Sequence, residues 1–326
     1  MRHTLSRTLL ALSAAALTAL PLSSAAQSYP SKPVKLVVPQ AAGGATDVFA
    51  RHLAQKLSLA WNQAVVVENR VGAAGVVGTD YVAKSPADGH TLLFTYAGSQ
   101  AVNPALYPKI PFDSVKDFAP ITPVATTAFF LVVGANSPVQ NFRELMTKAK
   151  ANPGKVTYAT SGNGSINHLL SESLNVEAGI QTVHVPYKAI AAAMTDVIGG
   201  QVDTAFAAVP SALQLIKGGK LRAIGVSSAK RNSSMPDVPT IAEMGYPQFN
   251  VSPWWGVLAP AGTPKAVVDK IHADVVKVVQ TAEGQSFFRE QGSEVFTTSP
   301  EEFRKILEAD VVHWAKVVKT SGAKLD

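Results

Sequence analysis

The sequence predicts an α/β protein with mainly parallel strands, folded as two domains. Short runs of β-branched residues alternate with helical runs along the chain, a pattern typical of parallel sheets covered by helices. In each half of the chain a glycine-containing loop joins a strand to a helix, at residues 39–46 and 161–165. The chain of 326 residues also exceeds one typical domain of roughly 100–200 residues.

The first 26 residues have the pattern of a signal peptide. Arg2 and Arg7 flank the start of an apolar run at 8–20, which is shorter than the roughly 20 residues of a membrane-spanning helix. Small residues end the segment, so we expect cleavage near Ala26. An uncleaved membrane anchor is the alternative interpretation. The mature protein is expected to be exported and soluble in a bacterial periplasm.

The first part of the mature chain alternates strands and helices. Apolar residues at helical spacing predict a helix at 47–57, and Gly72, Gly75 and Gly78 open a helix that runs to about Lys84. We interpret these three glycines as a helix-to-sheet packing device, because small residues permit close approach. The predicted strands lie at 34–38, 64–67, 91–95 and, as one long run, 124–133.

The rest of the chain continues the alternation and ends in two long amphipathic helices. The predicted strands lie at 156–160, 183–185, 202–207, 221–227 and 254–258. The predicted helices lie at 142–150, 166–178, 189–198, 210–217, 264–281 and 300–319. Strand 254–258 is expected to return to the first unit.

Composition excludes several classes of site. The chain has no cysteine, which removes disulfide scaffolds, thiolate zinc sites, iron–sulfur clusters and cysteine nucleophiles. The net charge of +6 comes from 29 basic and 23 acidic residues that are spread along the chain, whereas a nucleic-acid-binding protein would concentrate its basic residues. The seven histidines do not cluster at metal-ligand spacings. We therefore expect no cofactor, no metal and no nucleic-acid partner.

The loop at 39–46 is a candidate anion site. Two glycines allow positive φ, which turns backbone N–H groups towards one point, and the helix start adds unpaired donors and the positive end of its dipole. A carboxylate there could accept several hydrogen bonds of about 1.5–3 kcal/mol each. Asp47 would repel an anion, so we interpret it as a partner of the helix dipole in the first turn or as an organiser of the loop, and not as a direct ligand. The candidate ligand residues here are Gln40, Ala42, Gly43, Gly44, Ala45 and Thr46.

The loop at 161–165 has the same features in the second half. Its candidate ligand residues, with one residue of the following helix, are Ser161, Asn163, Gly164, Ser165 and His168. Tyr96 and Ser99 follow the third strand, where α/β proteins commonly bind ligands. Two such loops could hold both ends of a dicarboxylate. The alternatives are ordinary strand-to-helix turns and structural roles for the side chains.

Known enzyme motifs are missing from both loops. The glycine spacings fit neither a dinucleotide fingerprint nor a P-loop, and no Gly-x-Ser-x-Gly motif occurs. A periplasmic α/β hydrolase that pairs Ser161 with His168 is the competing function. Such a pair would need an orienting acid, which the sequence does not identify.

A dozen short segments, in order, resemble the Bug receptors, the periplasmic solute-binding components of tripartite tricarboxylate transporters. They cover nearly all of the mature chain, and they include YPSKP at 29–33, AGGATD at 42–47, VVENR at 66–70, NPALY at 103–107, SGNG at 161–164, HVPYK at 184–188, GGQVD at 199–203 and LAPAGTP at 258–264.

This resemblance implies the two-domain Venus-flytrap fold of type II periplasmic binding proteins, in which two crossing strands join the domains and one ligand lies between them. Domain 1 would comprise residues 31–127 and 251–326, and domain 2 residues 128–250. The ligand would be a small organic carboxylate, and the protein a monomer without catalytic residues. Its partners would be a small and a large integral membrane subunit of a transporter. A receptor that reports to a membrane sensor would have the same fold.

Two positions depart from the usual pattern of the family. Gln40 stands where members commonly carry Phe, and Ala207 and Ala208 stand where a more polar pair such as Asp-Asn is usual. We expect both positions to line the cleft, so Ala207 completes the set of candidate ligand residues. A polar group at one edge and an emptier wall at the other would suit a bulkier or aromatic acid.

Overall fold

The computed structural model describes residues 29–107 and 109–323, so the predicted signal peptide at 1–26 lies outside the described residues. The strands are, in chain order, β1 (Val34–Val38), β2 (Val65–Asn69), β3 (Thr91–Tyr96), β4 (Phe118–Thr126), β5 (Phe129–Gly134), β6 (Thr157–Thr160), β7 (Val183–Pro186), β8 (Thr204–Ala208), β9 (Leu221–Val226), β10 (Trp254–Pro260) and β11 (Glu294–Val295). The helices are α1 (Ala45–Trp61), α2 (Val76–Ala83), α3 (Asn103–Leu106), α4 (Phe142–Ala151), α5 (Ile166–Ala178), α6 (Ile190–Ile198), α7 (Val209–Lys217), α8 (Lys265–Val279), α9 (Ala282–Glu290) and α10 (Pro300–Ser321).

The strands form two mixed sheets. The first has the order β11-β4-β10-β3-β1-β2 and the second β7-β6-β8-β5-β9. Strand β1 is parallel to β2 and β3, and β6 is parallel to β7 and β8. Strands β10 and β5 run antiparallel to their neighbours, because the chain enters each of them from the other sheet. The predicted α/β class is confirmed, but the expectation of mainly parallel strands is wrong at these two strands and at β11, which runs antiparallel to β4.

Two short segments carry the chain between the sheets. The predicted single strand at 124–133 is in fact β4 in the first sheet and β5 in the second, separated by Thr127 and Ala128. The return segment ends at Pro253, just before β10. The two segments lie side by side, since the Thr127 amide donates to the Pro253 carbonyl at 3.1 Å.

The strand registers show which edges of the two sheets meet at these crossings. Trp255 of β10 pairs with Tyr96 at the end of β3, so β10 begins at the edge where the parallel strands of the first sheet end. Phe129 of β5 pairs with Ala208 at the end of β8, so β5 begins where the parallel strands of the second sheet end. The crossings therefore join the carboxyl edges of both sheets. The loops that follow β1 and β6 lie at these edges, where α/β proteins bind ligands.

Helices cover both sheets, and α10 spans them. It begins with a capping box, in which the Ser299 hydroxyl accepts from the Glu302 amide and the Glu302 carboxylate accepts from the Ser299 amide. It packs on α3 beside the first sheet and on α5 beside the second. His313 Nε2 lies 3.4 Å from Ser173 Oγ of α5. In the described part of the chain, no helix has the length and apolar content that a membrane crossing requires.

The predicted helix at 264–281 is shorter than expected, and a second helix follows it. Helix α8 ends at Val279, and the Thr281 hydroxyl caps α9 by accepting a hydrogen bond from the Gly284 amide at 3.0 Å. A threonine at this position favours the start of a helix, because its side chain replaces a missing backbone acceptor.

Of the three glycines at the start of α2, Gly78 lies inside the helix and acts as a packing residue. A Cβ there would lie 2.6 Å from the Arg70 carbonyl oxygen. Gly72 and Gly75 have φ values of +150° and +104°, and Ala73 and Ala74 between them also have positive φ. Gly72 and Gly75 therefore serve a turn at the end of the loop after β2 as well as close packing, since a Cβ at Gly72 would lie 2.6 Å from Val77 Cγ2 and one at Gly75 2.6 Å from Ser99 Oγ.

Candidate functional site

Asp47 holds the first loop from within α1. Its side chain is only 3% exposed. Oδ2 accepts hydrogen bonds from the Gly43 amide and from Arg51 Nε, both at 2.9 Å, and Oδ1 accepts from Asn69 Nδ2 at 2.9 Å. Burial alone would raise the pKa of Asp47, but hydrogen bonds from Arg51, Gly43 and Asn69 outweigh it and leave the pKa below its usual range. The prediction that Asp47 organises this loop is confirmed.

The helix start that follows this loop has no side-chain cap. Gly44 is the N-cap residue, with extended backbone (φ −77°, ψ 166°), and the first intrahelical bond runs from the Val48 amide to the Gly44 carbonyl at 3.0 Å. Within the described structure, the amides of Ala45, Thr46 and Asp47 donate to no acceptor. Residues 41–45 are exposed. The loop therefore presents open donors and the positive end of a helix dipole to solvent.

Gln40 and Ser99 bind to each other at the side of this loop. Gln40 Nε2 donates to Ser99 Oγ at 2.7 Å, and Ser99 Oγ donates to the Ala74 carbonyl at 2.9 Å. Asn103 Nδ2 donates to the same carbonyl at 3.0 Å. Ser99 is 1% exposed, and its single hydroxyl proton is used within the protein. The predicted ligand residues Gln40 and Ser99 thus tie together the segments that follow β1, β2 and β3.

Thr46 and Tyr96 are also engaged within the protein. Trp255 Nε1 donates to Thr46 Oγ1 at 3.0 Å. The ring of Tyr96 covers Gly98, where a Cβ would lie 2.2 Å from a ring carbon. Burial raises the pKa of Tyr96. Both side chains therefore support the carboxyl edge of the first sheet.

The second loop satisfies its backbone with its own side chains. The Ser165 hydroxyl donates to the Gly162 carbonyl at 2.7 Å and accepts from the His168 amide at 3.4 Å. The Gly162 amide donates to Thr160 Oγ1, and the Gly164 amide donates to His168 Nδ1, each at 3.1 Å. Most donors of the loop are thus already paired.

Ser161 and Asn163 complete the second loop. Ser161 Oγ donates to Asn167 Oδ1 at 2.9 Å, and Asn167 Nδ2 donates to the Phe206 carbonyl at 2.7 Å. Asn163 lies between two glycines with positive φ, so it occupies the tip of the turn. In the described chain Ser161 and His168 are not hydrogen-bonded to each other, so the pair that a hydrolase would need is not formed.

His168 lies in a stack of aromatic rings. Its ring is 4.0 Å from that of His184, which is 5.1 Å from the ring of Tyr158. Because Nδ1 accepts from Gly164, the neutral ring carries its proton on Nε2. Burial, followed by the neighbouring His184, lowers the pKa of His168 to about 4. Within residues 29–107 and 109–323, no three potential metal ligands among histidines and carboxylates come together.

Ala207 is the predicted ligand residue that lies farthest into the core. It is 0% exposed and pairs with Phe130, and its methyl group packs with the core beneath α6 and α7. Successive strand residues point to opposite faces, so Ala208 at the end of β8 is partly exposed instead. The expectation that the Ala207 side chain lines the cleft is corrected accordingly.

A cavity of about 650 Å³ lies beside the crossing segments. Its lining includes Thr127, Pro253, Trp254, Asp310 and Trp314, and none of the predicted ligand residues, all of which the structure describes, lines it. Trp254 Nε1 donates to Asp310 Oδ2 at 2.7 Å, and burial raises the pKa of Asp310 to about 6. The cavity therefore belongs to the crossing and the face of α10.

Asn69, at the end of β2, lies in the VVENR segment at 66–70 but is not among the candidate ligand residues of the sequence. Its Nδ2 donates to the Gln40 carbonyl at 3.1 Å and to Asp47 Oδ1, while its Oδ1 accepts from Arg51 Nη2 at 3.0 Å. Two features could have indicated it: its place in the VVENR segment and its position as the last residue of a strand, beside the loop after β1.

Comparison with known proteins identifies the family. A sequence model described as a tripartite tricarboxylate transporter family receptor matches residues 49–323. The chain belongs to this family. The curated protein BugT of Bordetella pertussis is 37% identical over 301 residues, which cover 92% of this chain and 92% of BugT. The resemblance to Bug receptors is thereby confirmed.

Solved structures show the same fold. R. palustris Rpa4515 with adipate is 34% identical, with a TM-score of 0.73 and coverage of 91% of this chain and 100% of that one. MatC from Rhodopseudomonas palustris with bound malate is 28% identical, with a TM-score of 0.69 and coverage of 89% and 100%. The predicted two-domain periplasmic binding fold is confirmed. The protein is a solute-binding receptor and not an enzyme.

Proposed function

We propose that the protein captures a small organic carboxylate between its two domains and delivers it to the membrane subunits of a tripartite transporter. The observation that carries this proposal is the uncapped start of α1, where three adjacent amides have no acceptor in the described structure. A carboxylate supplies the missing acceptor and is favoured by the helix dipole. The similar proteins bound to adipate and malate support this ligand class.

The two loops take different parts in this capture. One carboxylate of the ligand accepts from the amides of Ala45 and Thr46, in a loop that Asp47 holds in shape. The other end meets the 161–165 loop, with waters bridging where the ligand is short. Residues 31–127 and 251–326 form one domain and 128–250 the other. Their closure about the crossing segments is favoured when both ends of the ligand are bound.

We infer the cellular setting by analogy with the family. The mature protein begins after Ala26, is released into the periplasm and works as a monomer. Its partners are one small and one large integral membrane subunit. With Ala207 in the core, Gln40 and Ala208 are the positions at which ligand preference would differ from that of other members.

A proline substitution gives a direct test of the open amides. Ala45 is the first residue of α1, and the extended Gly44 before it is compatible with proline, so Ala45→Pro removes one donor without breaking the helix. Ala282→Pro is the matched control, because Ala282 is the exposed first residue of α9 and follows the extended Thr281.

Binding is measured on the mature protein by thermal shift and calorimetry with mono-, di- and tricarboxylates and aromatic acids. A ligand at about 100 times its Kd stabilises the protein by about 2.7 kcal/mol. We expect Ala45→Pro to weaken binding by at least tenfold, the value of one charge-assisted hydrogen bond of about 1.5–3 kcal/mol, and Ala282→Pro to leave it unchanged. Unchanged binding in Ala45→Pro, or no binding of any acid by the wild type, would contradict the proposal.

A further inference from the structure

We propose that Asn69 is a positioning residue for ligand binding, which sets the shape of the loop at 40–47 without contacting the ligand. The inference rests on the proposed function, because it concerns the same carboxylate site. Asn69 is the last residue of β2 and pairs in register with Val38, the last residue of β1. The loop that leaves β1 therefore starts one strand away from its carboxamide.

The Asn69 carboxamide forms hydrogen bonds to both ends of this loop and to the helix that follows it. One N–H of Nδ2 donates to the Gln40 carbonyl at 3.1 Å, at the start of the loop, and the other to Asp47 Oδ1 at 2.9 Å, at its end. Oδ1 accepts from Arg51 Nη2 at 3.0 Å, one helical turn further on. Both amide protons are used, so Asn69 has no donor left for a ligand.

Asp47 depends on this contact for its orientation. Its Oδ2 accepts from the Gly43 amide and from Arg51 Nε, each at 2.9 Å, whereas in the described contacts its Oδ1 accepts from Asn69 alone. Without Asn69, the carboxylate loses the partner that fixes its rotation, and the Gln40 carbonyl loses its donor as well. The open amides of the helix start then no longer converge on one point, so the affinity for the carboxylate ligand decreases.

The chemistry requires an amide and excludes a carboxylate at this position. An aspartate has the same shape as asparagine, but it donates nothing and would place a second negative charge against Asp47 Oδ1. The charged groups facing it would be Asp47 and Arg51, since the nearby Glu68 and Arg70 pair with each other. Asn69→Asp is therefore the sharpest variant, and Asn69→Ala removes the carboxamide without adding charge.

The probes for the test are adipate and malate, titrated calorimetrically into the mature wild type, Asn69→Asp, Asn69→Ala and a control. The control is Asn152→Asp, because Asn152 is exposed beyond the end of α4, beside the second sheet. We expect Asn69→Asp to weaken both acids at pH 7 by the same factor, at least tenfold, and Asn152→Asp to leave both unchanged. A contact residue would instead change the ratio between the two acids.

The pH dependence separates positioning from general damage to the fold. Between pH 7 and pH 4 the deficit of Asn69→Asp relative to the wild type should shrink, because the new carboxyl group, whose ordinary pKa is about 3.9, begins to protonate and then restores one donor towards Asp47. The deficit of Asn69→Ala should stay constant over the same interval. Equal affinity in the wild type and Asn69→Asp, or a deficit in Asn69→Asp that ignores pH, would overturn the proposal.

Hydrogen exchange of the backbone amides at 40–47 tests the role of Asn69 without any bound ligand. If the wild type binds neither acid, these two probes are not its ligands, and exchange of the amides at 40–47 then decides the role of Asn69. Faster exchange in Asn69→Asp and Asn69→Ala, with the rest of the protein unchanged, supports positioning. Exchange equal to that of the wild type overturns it.

Discussion

The two strand-to-helix loops occupy equivalent places in their sheets, but they are held in different ways. The first is shaped by one buried carboxylate, Asp47, that binds the Gly43 amide from inside the helix. The second is shaped by neutral groups, since Thr160 and His168 accept from the amides of Gly162 and Gly164. A charge organises one loop, whereas hydroxyl and imidazole groups organise the other.

The first turns of α1 and α5 also differ in how many of their amides lack an acceptor. Helix α1 has no side-chain cap and leaves three amides open within the described structure. Helix α5 is capped by Ser165, so among its first three amides only those of Ile166 and Asn167 find no acceptor in the described contacts. A glycine-rich loop before a helix therefore indicates an anion site only when the loop satisfies itself without using the helix amides. The first loop meets this condition better than the second.

Asp47→Ala should have the largest effect of the single substitutions in the two loops. It removes the acceptor of the Gly43 amide, Arg51 and Asn69 together, so we expect a loss of about 3–4 kcal/mol in the free energy of unfolding and at least a hundredfold loss in ligand affinity. Urea unfolding and calorimetric titration measure the two effects. Asp269→Ala, which removes an exposed Lys265–Asp269 pair of the same i,i+4 kind, should cost at most about 0.5 kcal/mol. Similar losses in both variants would show that Asp47 is an ordinary surface partner.

His168→Gln should reveal the neutral character of the second loop through pH. The pKa of His168 is about 4 in the folded protein, against about 6.5 when unfolded. The unfolded chain therefore takes up the proton first, so the stability contributed by His168 is complete above about pH 6.5 and is lost as the pH falls to 4. Glutamine can accept from Gly164 but does not titrate, so the wild type should lose about 2–3 kcal/mol more than His168→Gln over this interval.

Asp310 also changes the stability of the protein in this pH range, in the wild type and in His168→Gln alike. Its pKa is raised to about 6 in the folded protein, so its contribution is present at low pH and is lost as the pH rises from about 4 to 6. This slope is opposite to that of His168, and it is common to the wild type and the variant. The difference between their unfolding curves therefore isolates His168, and parallel curves would contradict the assigned pKa.

Ser165→Ala should have a smaller effect than either. It removes the cap of α5 and the hydroxyl bond to Gly162, for which a cost of about 1 kcal/mol in unfolding is typical. Because the Asn167 and Ile166 amides are already open, ligand affinity should change less than in Asp47→Ala. Chemical unfolding and titration with adipate check both expectations. A larger loss of affinity than in Asp47→Ala would reverse the ranking of the two loops.

Local sequence patterns were sufficient to predict most strands and helices and the position of both loops. Asp47 as the organiser of its own loop was predictable as well, since its partner Gly43 is four residues away. The short-range contacts of Ser165 belong to the same class. Such contacts depend on backbone geometry within one turn, which residue type and spacing largely determine.

The remaining features depend on contacts between distant parts of the chain. Gln40 and Ser99 are 59 residues apart, and only the parallel register of β1 with β3 brings them together. The break at Thr127 is hidden in one continuous apolar run, because periodicity does not show that a strand changes sheets. The face of β8 that points to the cleft is a matter of register too. An aspartate at Ala207 would consequently bury an unpaired carboxylate rather than line the cleft.

Ser161→Ala should have the smallest effect, because it removes a single hydroxyl group from the second loop. Ser161 Oγ donates only to Asn167 Oδ1 in the described contacts, and Asn167 remains anchored to the Phe206 carbonyl through its Nδ2. We therefore expect a cost of about 0.5–1 kcal/mol in unfolding and less than a threefold change in affinity for adipate. Affinity lost by tenfold or more would mean that Ser161 leaves Asn167 to donate to the ligand. In that case the second loop, and not only the first, would present donors that the unliganded structure keeps paired.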